Sequence, residues 1–196
     1  KDPPDETRLR EGIAHQPKIT RKSMLYKRTR IALISTGGTI EKTYDELSGV
    51  LSNRVSVLDV MLASLQLNGV QITRIPLMNK DSLDMTDADH VAIADCVIAE
   101  APEHEGIIVV HGTDRLAVTG HRIHTSFQEP AIPVILTGAM RPYEMRSTDA
   151  LQNLTEALIA VQLLTPGIYV AMHNRVLRFP GVEKDPLEGT FVHRQS

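Results

Sequence analysis

Four short segments hold the residues whose types and spacing could do chemistry, and each follows an apolar run. They are residues 35–40 (STGGTI), 81–85 (DSLDM), 111–114 (HGTD) and 138–142 (GAMRP). In the first, a glycine pair permits positive φ and lets a ligand approach backbone N–H groups closely. Three readings stand beside one another: a phosphate cradle, a hydroxyl nucleophile at Thr39 among amide donors, or a turn that merely needs two glycines. The cradle is the weakest, because the run matches neither common phosphate-loop pattern and no helix opening follows at once. A Thr hydroxyl is a poor nucleophile and must lose its proton to a base or relay. Thr113, next to Asp114, could position a water or pass a proton, and Asp114 could anchor a substrate ammonium. Lys184 could relay the Thr113 proton or be a solvated surface lysine; spacing alone does not connect the two.

Other chemistry-bearing residues read more plainly. His121 and His124 form an i, i+3 pair with too few companions for a metal site, and Arg122 between them marks a solvated helix face. His111 and His173 follow strand ends and are expected to hold loop backbone by hydrogen bonds. Met140, Met145 and Met172 are expected in packing. Arg141 and Arg146 could bind anions or anchor their loop to nearby carboxylates.

The elements that must position these residues alternate along the chain. Near-continuous Val/Ile runs at residues 30–35, 70–75, 106–110, 134–137 and 168–172 read as strands covered on both faces, as in a parallel sheet. Helical spacing is expected over 57–67, with Gly69 as its stop, and over 86–100, where Thr86 and Asp89 resemble a capping box. Helices over 115–127 and 147–164 complete the set. This β-α alternation predicts a doubly wound α/β sheet in three layers, with the site at the carboxyl ends of the strands near the topological switch point. Residues 175–196 contain Pro180, Gly181, Pro186 and Gly189 and are expected to form a β-hairpin or an active-site loop.

Composition narrows the function classes. With 42% hydrophobic residues in a 196-residue chain, one α/β domain with a real core is expected. Aromatics are only 4% and Trp is absent, which disfavours a stacking platform for nucleic acid. Residues 1–30 carry nine Lys or Arg against four Asp or Glu, so the remainder is acidic. Residues 1–29 read as a flexible basic extension and 30–196 as the folded domain. A single cysteine, Cys96, excludes an internal disulfide and suits a reducing, cytoplasmic setting. No run approaches the length of a membrane span.

Taken together, TGGTI (36–40), S-x-DM (82–85), HGTD (111–114) and GAMRP (138–142) resemble the bacterial-type L-asparaginase family, specifically its N-terminal domain. That family includes asparaginases, glutaminase-asparaginases and a tRNA-dependent amidotransferase subunit. The resemblance covers about residues 30–193 and implies a flavodoxin-like, mainly parallel sheet. It implies a cofactor-free amidohydrolase for L-asparagine, with glutamine or another small amide, or ligand binding without turnover, as alternatives. Position by position it implies Thr39 as the nucleophile and Thr113, Asp114 and Lys184 as the activating set; the family's mobile lid Tyr has no matching motif position, and Tyr44, five residues after Thr39, is the candidate for it or else an exposed loop Tyr. Ser82, Gly112, Asp114 and Ala139 are implied to bind substrate: Ser82 the α-carboxylate, Asp114 the α-ammonium, and the Ala139 carbonyl the leaving amide.

A homo-oligomer with a small-molecule substrate, no membrane partner and no nucleic acid is the accompanying expectation. Two departures are visible. Ordinary members continue into a smaller second domain that lends an acidic residue to a neighbouring subunit's site. In the second motif, Leu83 stands where the family often has Gln. Looser recognition of the substrate amino group is the expected consequence.

Overall fold

A computed structural model of the chain describes residues 27–45, 49–52 and 57–193. The expected flexible extension therefore lies largely outside the described residues. The sheet begins at Thr29, and Lys27 and Arg30 both pair with Glu105.

Five parallel strands form the frame: β1 (Thr29–Gly37), β4 (Val70–Lys80), β5 (Gly106–Val110), β6 (Pro133–Thr137) and β7 (Gly167–Met172). A sixth, β8 (Arg175–Arg178), closes one edge antiparallel to β7, giving the order β4-β1-β5-β6-β7-β8. The small pairs β2 (Thr43–Asp45) with β3 (Val50–Ser52) and β9 (Val182–Asp185) with β10 (Thr190–His193) lie outside this sheet. The helices are α1 (Leu58–Ala63), α2 (Asp87–Glu100), α3 (Leu116–Ser126) and α4 (Ala150–Leu163).

The strands are apolar on both sides because both sides are covered. Along β1, Ile31 and Leu33 join Leu58 and Met61 of α1 and Leu154 and Val161 of α4 in one core. The alternate residues Ala32 and Ile34 face Ile93 and Val97 of α2 and Leu116 and Ile123 of α3. Side chains alternate across a strand, so one Val/Ile run serves two cores. The fold is thus the three-layer, doubly wound α/β architecture read from the sequence, and no described helix is long and apolar enough to cross a membrane.

Two helix boundaries differ from expectation for local reasons. The helix expected over 57–67 ends at Ala63, because the Ser64 hydroxyl donates to the Met61 carbonyl (2.6 Å) and ends the ladder. Leu65 and Leu67 still pack on the core as irregular chain. α4 starts at Ala150 rather than 147. Residues 147–149 are taken up by the loop: Thr148 Oγ1 donates to the Arg141 carbonyl (3.0 Å), and Asp149 accepts from the Met140 and Arg141 amides.

The C-terminal stretch forms hairpins, as expected, but its first piece joins the main sheet. His173 and Asn174, at φ 55° and 59°, make the two-residue turn that reverses β7 into β8. At α2 the expected capping box is present: Thr86 accepts from the Asp89 amide, and Asp89 accepts from the Thr86 amide at 2.8 Å.

Candidate active site

β1 pairs in parallel with β4 on one side and β5 on the other, so the chain leaves its carboxyl end at the switch point of the sheet. Helices diverge to opposite faces there and open a crevice. The Thr36 hydroxyl donates to the Val110 carbonyl (2.9 Å), fastening the end of β1 to the end of β5. Beyond it, Gly37 and Gly38 take φ of 96° and 83°, and a short 3-10 turn begins at Thr39. A Cβ on Gly38 would stand 2.4 Å from the Gly112 Cα, and one on Gly112 would stand 2.6 Å from Ser82 Oγ. The first and third motifs therefore meet backbone to backbone, the Ser82 side chain packs on Gly112, and only glycine permits that approach. Thr39 and Thr113 each stand next to one of these two touching glycines.

Thr113 is buried at 3% exposure, whereas Asp114 is exposed. Lys184 Nζ donates to Thr113 Oγ1 at 3.0 Å and to Asp114 Oδ1 at 2.7 Å. Thr113, Asp114 and Lys184, which spacing could not connect, thus form one cluster. The position of Lys184 is set by β9 and its anchors on β10 and α3. It sits on β9 opposite Phe191, and His121 Nε2–H donates to the Val182 carbonyl at 3.1 Å, tying β9 to α3. Phe179, just ahead of β9, lies against Gly120, where a Cβ would fall 2.1 Å from the ring. His121 is accordingly a packing and anchoring residue, with its ring edge-on to Phe179, rather than part of a solvated face. Among the described residues no cluster of His, Cys, Asp and Glu could hold a metal.

Ser82 is buried, and its hydroxyl has no hydrogen-bond partner among the described residues. A buried hydroxyl left unpaired costs roughly 1–3 kcal/mol, so this orphan, packed against Gly112, is a polar group whose hydrogen-bonding capacity is unmet. Leu83 beside it is 62% exposed. Ala139 is fully buried at the end of β6. Tyr44 lies on β2 with its ring 57% exposed, and its amide donates to Glu144 Oε2 at 2.7 Å.

Three supporting arrangements go further than the sequence suggested, which had only His111 and His173 holding loop backbone. Lys42 Nζ meets Asp81 Oδ2 at 2.6 Å, with both side chains partly buried, linking the Thr39 turn to the Ser82 segment. The Lys42 ammonium and the Leu83 amide hold the Asp81 carboxyl below its ordinary value. Lys42→Met is expected to lower kcat/KM about fivefold with Lys42→Arg restoring most of it, the scale of a pair worth ~1 kcal/mol. Steady-state kinetics on the two variants checks this, and an unchanged rate in Lys42→Met would show that the strap does not support the site.

The second is Asp149, which accepts from the Met140 and Arg141 amides, from Asn153 Nδ2 (2.8 Å) and from His173 Nε2 (2.8 Å). Burial pushes its carboxyl up, but the Met140 amide, the His173 ring and the Arg141 amide together hold it below the ordinary value. Arg141 is tied to Ser147 rather than to a carboxylate, through Nη1. Of the methionines, Met172 is buried and Met140 packs on the core, but Met145 is 43% exposed.

The third is a buried chain beneath the HGTD segment. His111 Nδ1–H donates to the Gly112 carbonyl (2.7 Å), which leaves Nε2 to accept from the Thr119 hydroxyl, whose oxygen accepts from His90 Nδ1–H. Burial lowers the His111 pKa to about 4 from 6.5, aided by neighbouring His90 and opposed by the Gly112 bond. The unfolded chain therefore takes up this proton first. Stability is complete above about pH 6.5 and is lost as pH falls toward 4, by up to about 3 kcal/mol. The urea midpoint should fall across that window, above where the lowered carboxylates titrate; a flat midpoint would contradict it.

Comparison with known proteins bears on this geometry. Residues 30–186 match the family model "Asparaginase, N-terminal". An L-asparaginase of Thermococcus kodakarensis is 33% identical over 157 residues, 79% of this chain and 47% of the relative. One subunit of the glutamyl-tRNA(Gln) amidotransferase of Thermoplasma acidophilum is 30% identical over 66% of this chain and 32% of its own length. Among solved structures, the thermostable L-asparaginase from T. kodakarensis superposes with a TM-score of 0.75 at 31% identity, over 84% of this chain and 51% of that one. L-asparaginase I from Vibrio cholerae gives 0.68 at 26% identity, over 85% and 51%. The chain spans at most about half the length of these relatives. With residues 30–186 matching the family model and the fold superposing on theirs, the chain belongs to the asparaginase family, in the part that forms the N-terminal domain.

Proposed function

We propose that residues 30–196 form the catalytic domain of an L-asparagine amidohydrolase, with Thr39 as nucleophile. The observation that carries this reading is the Lys184–Thr113–Asp114 cluster set across the glycine stack from Thr39. Thr39 Oγ1 attacks the side-chain amide carbon, backbone amides of the glycine loops and water meet the oxyanion, and ammonia leaves. Water then cleaves the β-aspartyl ester. Thr113 passes protons while Lys184 holds its hydroxyl and Asp114 receives the substrate ammonium. The orphan Ser82 hydroxyl takes the α-carboxylate, near Gly112, and the Ala139 carbonyl takes the leaving amide. No cofactor takes part.

Ammonia release from L-asparagine and L-glutamine tests this reading. Asparagine is expected to turn over, and with Leu83 in place of Gln its KM should be higher than in tight two-domain enzymes. A folded protein that releases ammonia from neither amide would shift the weight to another amide or to a binding module. One methylene separates the two substrates by only ~1–3 kcal/mol, so some glutaminase activity is compatible.

Tyr44 is proposed as the lid residue that closes over Thr39, since it stands five residues downstream on the β2–β3 pair. Tyr44→Phe should lower kcat about 10²-fold, and a near wild-type rate would sink the assignment. The likeness to part of an amidotransferase favours a second reading, in which the ammonia is handed to a protein partner. Free ammonia release by the isolated chain separates the two. A cytoplasmic homo-oligomer is part of the proposal, supported by the lone Cys96 and by active loops gathered at one end of the sheet.

A further inference from the structure

Beyond the cluster lies a cavity of about 440 Å³ that ammonia does not need. Arg141, Asp149, His173, Lys184, Pro186 and Glu188 line it. Lys184 belongs to both places: its ammonium bonds Thr113 and Asp114, and its residue forms one wall of the cavity. Resting on the amidohydrolase reading, the leaving nitrogen must face the Thr113–Lys184 pair, because its proton comes from there. Whatever that nitrogen carries is then directed past Lys184 into the cavity. Ammonia is close to water in size, about 30 Å³, whereas the cavity is within the range of small-molecule sites.

The wall charges specify the substituent. Asp149 is saturated by the Met140 and Arg141 amides, Asn153 and His173, so it is not available to a ligand. Lys184 is engaged with Asp114. Arg141 is exposed, and its described side-chain bonds, all to Ser147, use Nη1 alone of a guanidinium with five donors. Such a group favours a carboxylate, which it can bind through two parallel bonds. Glu188, exposed on the β9–β10 turn with its amide on Asp185, adds an opposing charge to the same lining. Pro186 offers an apolar surface for a short stem.

We infer that this cavity is a leaving-group subsite, and that the enzyme also cleaves asparagine derivatives whose amide nitrogen carries a small carboxylate-bearing group, such as β-aspartylglycine. In that reaction Thr39 Oγ1 bonds to the side-chain carbonyl carbon and its proton passes to the leaving nitrogen. The C–N bond breaks with its electron pair on nitrogen, glycine departs as the free amine, and water cleaves the ester to aspartate, restoring the Thr39 hydroxyl. The products differ from those of asparagine only in the amine released.

The test is kcat/KM for three compounds, asparagine, β-aspartylglycine and the carboxylate-free β-aspartyl ethylamide, with the unaltered protein, Arg141→Met and Glu188→Gln. The inference expects glycine release by the unaltered protein. Arg141→Met should cut the β-aspartylglycine value at least tenfold more than either of the other two, and Glu188→Gln should raise it a few fold. Ammonia from asparagine without glycine from β-aspartylglycine would overturn the subsite and leave the amidohydrolase reading standing. Equal losses on all three compounds in Arg141→Met would overturn the carboxylate contact. Turnover of none of them would overturn both readings.

Discussion

Thr39→Ala is expected to lower asparagine turnover by ~10⁴-fold or more while the protein keeps its fold. Removing a nucleophile forfeits the covalent route altogether and leaves only the catalysis that binding and oxyanion donors supply. The fold should be indifferent, because Thr39 is only partly buried and the turn is fixed by other groups. Gly38 donates its amide to the Lys80 carbonyl (2.9 Å), Glu41 accepts from the Gly37 amide, and Lys42 closes on Asp81. Circular dichroism and a thermal melt alongside the rate check both halves. A Thr39→Ala protein that retains more than a hundredth of the rate would remove Thr39 from the covalent step.

Lys184→Met should cost ~10³-fold in kcat, with KM changed less. Loss of a positioned proton-transfer group is worth ~10²–10⁴-fold, and Lys184 is the one cation bonded to the Thr113 hydroxyl among the described contacts. The apolar stem is conserved, so β9 should stay paired with β10. A stability loss of about 1–3 kcal/mol is still expected, since Thr113 is buried and its hydroxyl loses this partner. Lys184→Arg should recover stability better than rate, because a planar fork does not place one donor where an ammonium does. A Lys184→Met enzyme within tenfold of wild type would show that the cluster is architectural.

How much of this was legible in the sequence follows from the range of each interaction. β5 is five apolar residues in a row, GIIVV, because α-helices cover both of its faces, and such a run declares itself without any partner. The Thr86–Asp89 box is likewise local, and it was readable. The motifs of the crevice were visible as clusters of Gly, Thr and Asp after strands, since backbone contact at Gly38 and Gly112 restricts those positions to glycine. What could not be read lies between residues distant in the chain. Lys184 and Thr113 are 71 positions apart, and a hydrogen bond between distant side chains has no period; only the family resemblance suggested the connection.

The pair of Lys42 with Asp81, 39 positions apart, escaped the sequence reading for the same reason. Asp149 fell inside the helix expected over 147–164, yet its carboxylate is spent on the Met140–Arg141 loop, and that diversion is also why α4 begins late. β8 was hidden by its composition: Arg175-Val176-Leu177-Arg178 at an exposed edge needs little apolar surface, so it lacks the mark of the central strands.

The central claim is a covalent aspartyl intermediate on Thr39, and its most direct measurement is peptide mapping of protein acid-quenched during turnover of asparagine. Trypsin places Thr39 in the peptide 31–42 and Thr113 in the peptide 81–115, so the two hydroxyls are read separately. The expected result is an aspartyl group on peptide 31–42, assigned to Thr39 by its fragments and absent from Thr39→Ala. An aspartyl group on peptide 81–115, or steady ammonia release with neither peptide labelled, would contradict it.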